Sequence, residues 1–183
     1  MHIIKLNATD STNNYLRGLL VNKKVEDFTV VVADHHTHGR AQMGTVWNSE
    51  VSKNLTFSVF KDLSVYVVEC PFYISMAVSL AILKALKTFN IPDLRIKWPN
   101  DILSADKKIC GILIENVIKD RLNSTIIGIG VNVNQTEFVN LPEASSLKNI
   151  TGIHYDLDEV LHYIMKYTRR YSQLLQDGEY DAV

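Results

Sequence analysis

The feature that most constrains the fold is an unbroken apolar run at residues 28–33, which leads into a loop rich in histidine and glycine. Three consecutive valines without polar alternation are typical of a strand that is buried on both faces. Loops that bind ligands commonly follow such strands. In this loop Gly39 and Gly44 permit tight turns, and Arg40 between them carries donors that suit phosphate or carboxylate oxygens. Many ordinary surface loops share this combination, so it does not identify a function by itself.

Hydrophobic patterns elsewhere predict alternating strands and helices. Strands are expected at residues 3–6, 28–33, 54–60, 94–98, 102–103, 108–115 and 124–133. The alternation within 54–60 predicts a half-buried strand. Helices are expected from near Ser11, over 71–89, near 144–148, and after the capping pattern at 156–159. The two long helices each carry an apolar face, formed by Ile74, Ala77, Val78, Ala81, Ile82, Ala85 and Leu86, and by Leu157, Val160, Leu161, Ile164, Thr168, Tyr171 and Leu175.

Composition bounds the class of protein. A chain of 183 residues with 46% hydrophobic and 21% charged residues fits one soluble globular domain, 1–183. The formal net charge of −1 favours neither nucleic acid nor an anionic membrane, and polar residues interrupt the longest helical candidate, 71–89, so no membrane span is predicted. Cys70 and Cys110 lie in apolar runs and form no CxxC pair, which predicts buried, reduced thiols in a cytoplasmic protein.

Two further segments each have two interpretations. The polar residues 10–14 precede a helix, where they can cap the helix or hold a polar ligand. Gly128 and Gly130 lie in one central strand. They indicate either a bulge or tight strand packing, or a ligand that lies across the sheet.

Three segments together resemble the biotin protein ligase family. They are the loop from Gly39-Arg40 to Trp47, the segment Lys97-Trp98-Pro99-Asn100-Asp101, and the segment from Lys108 through Gly111-Ile112-Leu113-Ile114-Glu115. The second and third match the family motifs essentially intact, and residues 10–13 and 128–132 match further family segments. The resemblance covers about residues 10–132.

The resemblance implies an α+β fold in which helices pack on a mixed β-sheet, similar to the class II aminoacyl-tRNA synthetase core and to other biotin/lipoate ligase catalytic domains. It implies an ATP-dependent ligase that joins biotin to ATP as biotinyl-5'-AMP. The enzyme would then transfer biotin to a lysine of a biotin carboxyl carrier protein of acetyl-CoA carboxylase or a related enzyme. Fixed positive charge and positioning suit such a condensation of two anions.

The family pattern also assigns site residues. Catalysis falls to Lys108 and Arg40. Biotin binding falls to Ser11, Thr12, Asn13, His36, Gly39, Arg40, Lys108 and Gly111. ATP or adenylate binding falls to Arg40, Ala41, Gln42, Trp47, Lys97, Asn100, Asp101 and Asn132, with Trp47 over the adenine. No protein metal site is expected, because ATP and water would hold most of the Mg²⁺ coordination sphere. Strand alternation leaves open whether Lys97 faces the ligand or solvent.

The loop departs from the family pattern at four positions. His36 stands where the family usually has Gln, His38 where it has Ala, Ala41 where it has Gly, and Gln42 where it often has a second Arg. Ala41 adds a Cβ where a positive φ is expected, and Gln42 removes a charge, so both changes bear on retention of the adenylate. A metal site at His35, His36 and His38 is the weaker alternative interpretation.

Two alternative functions stay open. One is a lipoate or octanoate protein ligase, although the Arg-Arg-x-Ser-Gly-Gly-Gly stretch of that related family is missing. The other is a catalytically weak module that binds biotin. Because the matched motifs start by residue 10 and the chain stops at residue 183, we expect no N-terminal DNA-binding domain, no sequence-specific DNA binding and no C-terminal small β domain. Homodimer formation is left open.

Overall fold

The computed structural model describes residues 2–64, 68, 70–118 and 122–182. The strands of this part of the chain are β1 (Ile3–Leu6), β2 (Val30–Ala33), β3 (Leu55–Asp62), β4 (Leu94–Lys97), β5 (Asp101–Ser104), β6 (Lys107–Ile118) and β7 (Leu122–Val131). The helices are α1 (Thr12–Asn22), α2 (Phe72–Lys87), α3 (Leu147–Thr151) and α4 (Leu157–Gln176), and short 3₁₀ turns occupy Gln42–Gly44 and Tyr180–Ala182.

The strands hydrogen bond in the order β1-β2-β3-β7-β6-β5-β4. β1 pairs with β2 in parallel, whereas β2 pairs with β3, and β4 with β5, in antiparallel orientation. The predicted mixed sheet with helices is therefore confirmed. By internal packing the described residues form two compact units, the first drawn from 2–64 and 112–130 and the second from 68–111 and 131–182.

In the first unit, α1 packs on β2 and β3. Buried Leu16 of this helix belongs to a core cluster with Val31, Phe60 and Ile126. The apolar run at 28–33 forms β2 as expected, but the strand begins at Val30, because Phe28 adopts a left-handed backbone with φ of 57°. This cluster holds α1 against β2 and β3.

The predicted half-buried character of β3 is wrong. Every residue of this strand from Leu55 through Lys61 is buried, including Thr56 and Ser58. These hydroxyls are buried because they find partners: Thr56 Oγ1 donates to the carbonyl of Ala33 at 2.8 Å, and Ser58 bonds to the start of α1. The polar residues of this strand make hydrogen bonds inside the protein. The alternation of polar and apolar residues therefore does not indicate a solvent-exposed face.

In the second unit, α2 packs against α4. All seven residues predicted for the apolar face of α2 are buried, and so are those predicted for α4 except half-buried Leu157. Asp156 caps α4 by accepting from the backbone N–H of Glu159 at 2.9 Å, as the capping pattern predicts. The short helix α3 lies three residues later than expected because Ser146 caps it through the N–H of Asn149, and Gly152 at φ of 76° ends it.

A hairpin joins β5 to β6. Ser104 pairs with Lys107 across a two-residue turn formed by Ala105 and Asp106. Ala105 adopts a φ of 48°, which a tight two-residue connection commonly requires.

A β-bulge follows this hairpin. Leu103 pairs with Lys108, whereas Ile102 pairs with Cys110, so Ile109 is an extra residue on β6. The neighbours Ile109 and Cys110 are consequently both fully buried, while Lys108 stays partly exposed. The bulge therefore sets the direction of the Lys108 side chain relative to the residues that follow it.

One cysteine differs from the expectation of two buried thiols. Cys110 is buried and free, but Cys70 is exposed and free, because it lies just before α2 and outside its apolar face. Within the described residues, every helix is too short or too polar to cross a membrane.

Candidate functional site

The first group of candidate residues lies at the start of α1, in the first unit. Ser11, Thr12 and Asn13 are almost completely buried. Ser11 occupies the N-cap position, yet its side chain makes no capping hydrogen bond. Capping therefore does not explain these polar residues, and their side chains are available to build a polar surface.

A chain of hydrogen bonds runs from Thr12 into β6. Ser58 Oγ bonds to Thr12 Oγ1 at 2.7 Å and to Asn13 Oδ1. Asn13 Nδ2 donates to Glu115 Oε2 at 2.7 Å, over 102 positions of sequence. These contacts join residues from α1, β3 and β6 into one buried polar network.

Arg40 is attached to the same network. Its Nη2 lies 3.0 Å from Glu115 Oε1, and its Nη1 donates to Asn14 Oδ1 at 2.8 Å. Arg17 Nη2 lies 2.7 Å from the same Glu115 oxygen. Two contacts thus fix the plane of the Arg40 guanidinium, whose remaining N–H groups can bind an anion, since the arginine side chain is 40% exposed.

His36 supports the start of α1 from the loop. The backbone N–H of Thr12 donates to His36 Nε2 at 3.2 Å, so this nitrogen is unprotonated. Burial lowers the pKa of His36, against the charge of Asp10, which raises it, and His35 lowers it further. The neutral ring can therefore act as an acceptor near pH 7. The described residues contain no cluster of three His, Cys, Asp or Glu that could hold a metal ion.

The glycine–arginine loop folds back on itself. The N–H of Trp47 donates to the carbonyl of Gly39 at 3.1 Å, and the N–H of Ala41 donates to Thr45 at 2.9 Å. A Cβ at Gly39 would overlap the Trp47 carbonyl, which explains the glycine. The expected positive φ at position 41 is wrong: Ala41 has a φ of −131°, and only Gly44 of the glycines in this loop has a positive φ, 77°.

The two glycines of β7 leave room for two side chains of the first group of candidate residues. A Cβ at Gly128 would lie 2.5 Å from Asn13 Oδ1, and a Cβ at Gly130 would lie 2.5 Å from Trp47 Cε2. The groups that come close to these two backbone positions are therefore the side chains of Asn13 and Trp47.

The second group lies in the second unit. Lys108 Nζ lies 2.7 Å from Asp101 Oδ1, with side-chain exposures of 32% and 16%. Burial raises the pKa of the nearby Cys110 thiol, which the charge of Lys108 lowers and that of Asp101 raises. Cys110 is therefore a neutral core residue, and the ammonium of Lys108 is the group able to meet an anion.

The backbone of Lys108 is held on both sides. Its N–H donates to the carbonyl of Glu143 at 2.7 Å, and its carbonyl accepts from Ser145 at 3.0 Å. Asn132 Nδ2 donates to the carbonyl of Ser145 at 3.0 Å, and the Asn132 N–H donates to Ile109. Buried Asn132 thus ties segment 143–145 to β6, a role that the sequence did not predict.

The remaining predicted residues differ in exposure. Lys97 is exposed at the end of β4, while Gln42, Asn100 and Gly111 are half-buried. The structure thus brings together the predicted residues from 11–13, 36–41 and 47 in one unit, and Lys108, Asp101 and Asn132 in the other.

Sequence reasoning missed several residues of the network. Glu115 ends a quoted motif, but no role was assigned to it. Ser58 is a polar residue inside an apolar strand, which was the only indication of its role. Asn14 belongs to the polar segment 10–14 but had no individual role, and Arg17 had no indication beyond its helical spacing from Asn13.

Comparison with known proteins decides the family. Residues 6–132 match the model of the biotin/lipoate A/B protein ligase family. The solved biotin protein ligase of Aquifex aeolicus, in complex with biotin and ATP, is 30% identical with a TM-score of 0.84, covering 96% of this chain and 72% of that chain. This chain belongs to the biotin/lipoate A/B protein ligase family. The resemblance inferred from the sequence motifs is therefore confirmed.

Curated relatives in this family are longer. The bifunctional ligase/repressor BirA of Bacillus spizizenii is 32% identical over 97% of this chain and 56% of the relative. The biotin--[acetyl-CoA-carboxylase] ligase of Mycobacterium tuberculosis is 31% identical over 78% of this chain and 53% of the relative. The chain spans a little over half of the length of these relatives.

Proposed function

We propose that this chain is a biotin protein ligase. It joins the biotin carboxylate to the α-phosphorus of ATP, which releases pyrophosphate and forms biotinyl-5'-AMP. A lysine amine of a biotin carboxyl carrier protein then attacks the acyl carbon, and AMP leaves. The similar Aquifex protein was solved with biotin and ATP, which supports this choice of substrates. The free thiols of Cys70 and Cys110 fit a reducing compartment such as the cytoplasm.

The observation that carries the proposal is the buried polar surface next to Arg40. Buried hydroxyl and amide groups at Ser11, Thr12 and Asn13 suit a neutral polar head, and Arg40 in the same unit suits a carboxylate or phosphate. Biotin combines a neutral ureido ring with a carboxylate tail. Lipoate has an apolar dithiolane ring, which cannot donate to the lone pairs that the Thr12 hydroxyl keeps available, and a buried acceptor left without a donor costs about 1–3 kcal/mol.

The proposed ligand-binding roles in the first unit are those that the family pattern assigns. Ser11, Thr12, Asn13, His36 and Gly39 bind the biotin end. Arg40 binds the carboxylate and then the phosphate, where negative charge collects in the transition state. Trp47 covers the adenine, and Ala41 and Gln42 line the adenylate through their part of the loop.

Roles in the second unit centre on Lys108. Its ammonium stabilises charge on the attacking carboxylate and on the α-phosphate, while Asp101 holds it at 2.7 Å. Gly111 lines the biotin side, and Asn100, Lys97 and Asn132 serve the nucleotide. Because Asp101 is engaged with Lys108, Mg²⁺ would arrive with ATP and keep phosphate and water as its main ligands.

A pyrophosphate-release assay tests the proposal. With biotin and ATP we expect turnover, and with lipoate or octanoate in place of biotin we expect none. Turnover only with lipoate or octanoate would identify the alternative ligase. Biotin binding without pyrophosphate release would identify a binding module, and biotinylation of a carrier protein tests the second step.

A further inference from the structure

We propose that Glu115 is a positioning residue that fixes the donor and acceptor directions of the biotin-binding side chains. The inference rests on the proposed function and deepens it. Glu115 acts through Asn13 and Ser58 and contacts neither proposed substrate directly. The donors and acceptors available in this series of hydrogen bonds decide the direction of each bond.

The Glu115 carboxylate determines the direction of every hydrogen bond in this series. Arg17 and Arg40 both donate to Oε1 of Glu115, and Asn13 lies 2.7 Å from Oε2. A carboxylate that faces two guanidinium groups is an acceptor at each of these contacts. Asn13 must therefore turn its NH₂ group toward Glu115, which leaves its Oδ1 directed at Ser58.

The second step passes through Ser58. Asn13 Oδ1 only accepts, so the single Ser58 proton goes to it. The bond of 2.7 Å between Ser58 and Thr12 is then possible only if Thr12 donates. The Thr12 hydroxyl, with its proton committed, can offer a ligand only lone pairs. Glu115 thus makes Thr12 an acceptor, although the two side chains are not in contact.

The backbone of Thr12 is committed in the same way. Its N–H donates to His36 Nε2 at 3.2 Å, so Thr12 has no free donor to direct at a ligand. A ligand group that meets Thr12 must carry its own N–H or O–H. The N–H groups of a urea fulfil this requirement, and a ring without donors does not.

The substitution Glu115→Gln isolates this effect because it keeps the size of the side chain. Its NH₂ group must face either Asn13 Nδ2 or the two guanidinium groups, which are all donors. To avoid that conflict, Asn13 has to turn over, Ser58 has to reverse, and Thr12 has to become a donor toward the ligand. Substitution Ser58→Ala removes the link, so Asn13 can turn over without consequence for Thr12.

A double-mutant cycle on biotin affinity tests the proposal. Isothermal titration compares the unchanged chain, Glu115→Gln, Ser58→Ala and the double variant, with urea unfolding of each. Glu159→Gln, at an exposed position of α4, is the matched control. We expect Glu115→Gln to weaken biotin binding about ten-fold or more, the size of one misdirected hydrogen bond to a buried group, and the control to match the unchanged chain. In the Ser58→Ala background the same substitution should cost less than about three-fold.

Each other outcome has a definite meaning. Biotin affinity of Glu115→Gln equal to the control overturns the inference, and so does an equal loss in both backgrounds, because Glu115 would then act by another route. If Glu115→Gln fails to fold, Ser58→Ala decides alone: it removes the acceptor that commits the Thr12 proton, so biotin binding should weaken, and unchanged biotin affinity in that variant overturns the inference. If the unchanged chain binds no biotin, the proposed function itself has failed.

Discussion

The indole ring of Trp47 lies against the backbone of Gly130, so closely that a Cβ at Gly130 would come within 2.5 Å of Cε2. Gly128, two residues earlier on the same strand, stands in the corresponding relation to Asn13. One strand therefore supports a proposed adenine contact and a proposed biotin contact through two separate glycines, and each can be perturbed alone.

Substitution Gly130→Ala should weaken ATP binding more than biotin binding. The added methyl group displaces the indole, and aromatic stacking on a base contributes about 1–3 kcal/mol, which corresponds to roughly five- to 150-fold in affinity. Trp47→Ala should reproduce the same selective loss. Isothermal titration with each ligand measures both variants, and equal losses for ATP and biotin would remove Trp47 from the adenine site.

Substitution Gly128→Ala should have the opposite selectivity. The methyl group meets the Asn13 amide, so biotin binding should fall by about ten-fold or more while ATP binding changes little. Gly18→Ala, where no atom lies within 4 Å of the new methyl group, is the control for an added Cβ. A larger loss for ATP than for biotin would contradict the assignment of Asn13.

Substitution Lys108→Ala should lower the rate of pyrophosphate release by about 100- to 1,000-fold, the size expected for removal of one preorganised charge at a transition state. The neighbouring Lys107→Ala serves as the control, because Lys107 is exposed and its ammonium donates to the backbone carbonyl of Pro142. Far-ultraviolet circular dichroism checks that the fold persists. Turnover at the level of Lys107→Ala would exclude Lys108 from catalysis.

His36 should make stability depend on pH. Because burial lowers its pKa, the unfolded chain binds more protons than the folded protein below about pH 6.5. Its contribution to stability is therefore complete above that pH and declines as the pH falls toward the lowered folded value. His36→Gln keeps an acceptor for the Thr12 N–H and removes the titration. Urea unfolding between pH 7.5 and 5 should show a smaller decline for His36→Gln, and parallel curves would refute this role.

The two thiols should differ in reactivity. Cys70 is exposed, whereas Cys110 is fully buried and burial raises its pKa, so a thiolate-directed reagent should modify one thiol quickly in the folded protein and both after denaturation. Cys70→Ser should abolish the fast phase and Cys110→Ser should leave it. Mass spectrometry of partly labelled protein counts the modified thiols.

Much of the fold was predictable, because hydrophobic periodicity reports directly on burial. The apolar faces of α2 and α4 follow from such patterns. The burial of β3 did not, since Thr56 and Ser58 are polar in composition and become internal only through partners from residues distant in sequence. The bulge at Ile109 was equally hidden, because register between two strands is not visible in either strand alone.

The candidate site was also predictable only in part. Motif spacing located Arg40, Trp47 and Lys108, whose residue types suggest chemistry. It did not reveal Glu115 as a junction, because that role depends on Arg17, Asn13 and Arg40 approaching one carboxylate from different parts of the chain.

The attachment of segment 143–145 to Lys108 has a consequence for how this chain tolerates changes of length. Connections between helices and strands usually accept insertions and deletions at little cost. This one runs beside β6 like an additional short strand, with hydrogen bonds to both backbone groups of Lys108. A residue gained or lost between Val133 and Ser146 would shift those bonds and move the ammonium without altering any functional side chain. In a library of random insertions, this stretch should therefore be as intolerant as the strands themselves.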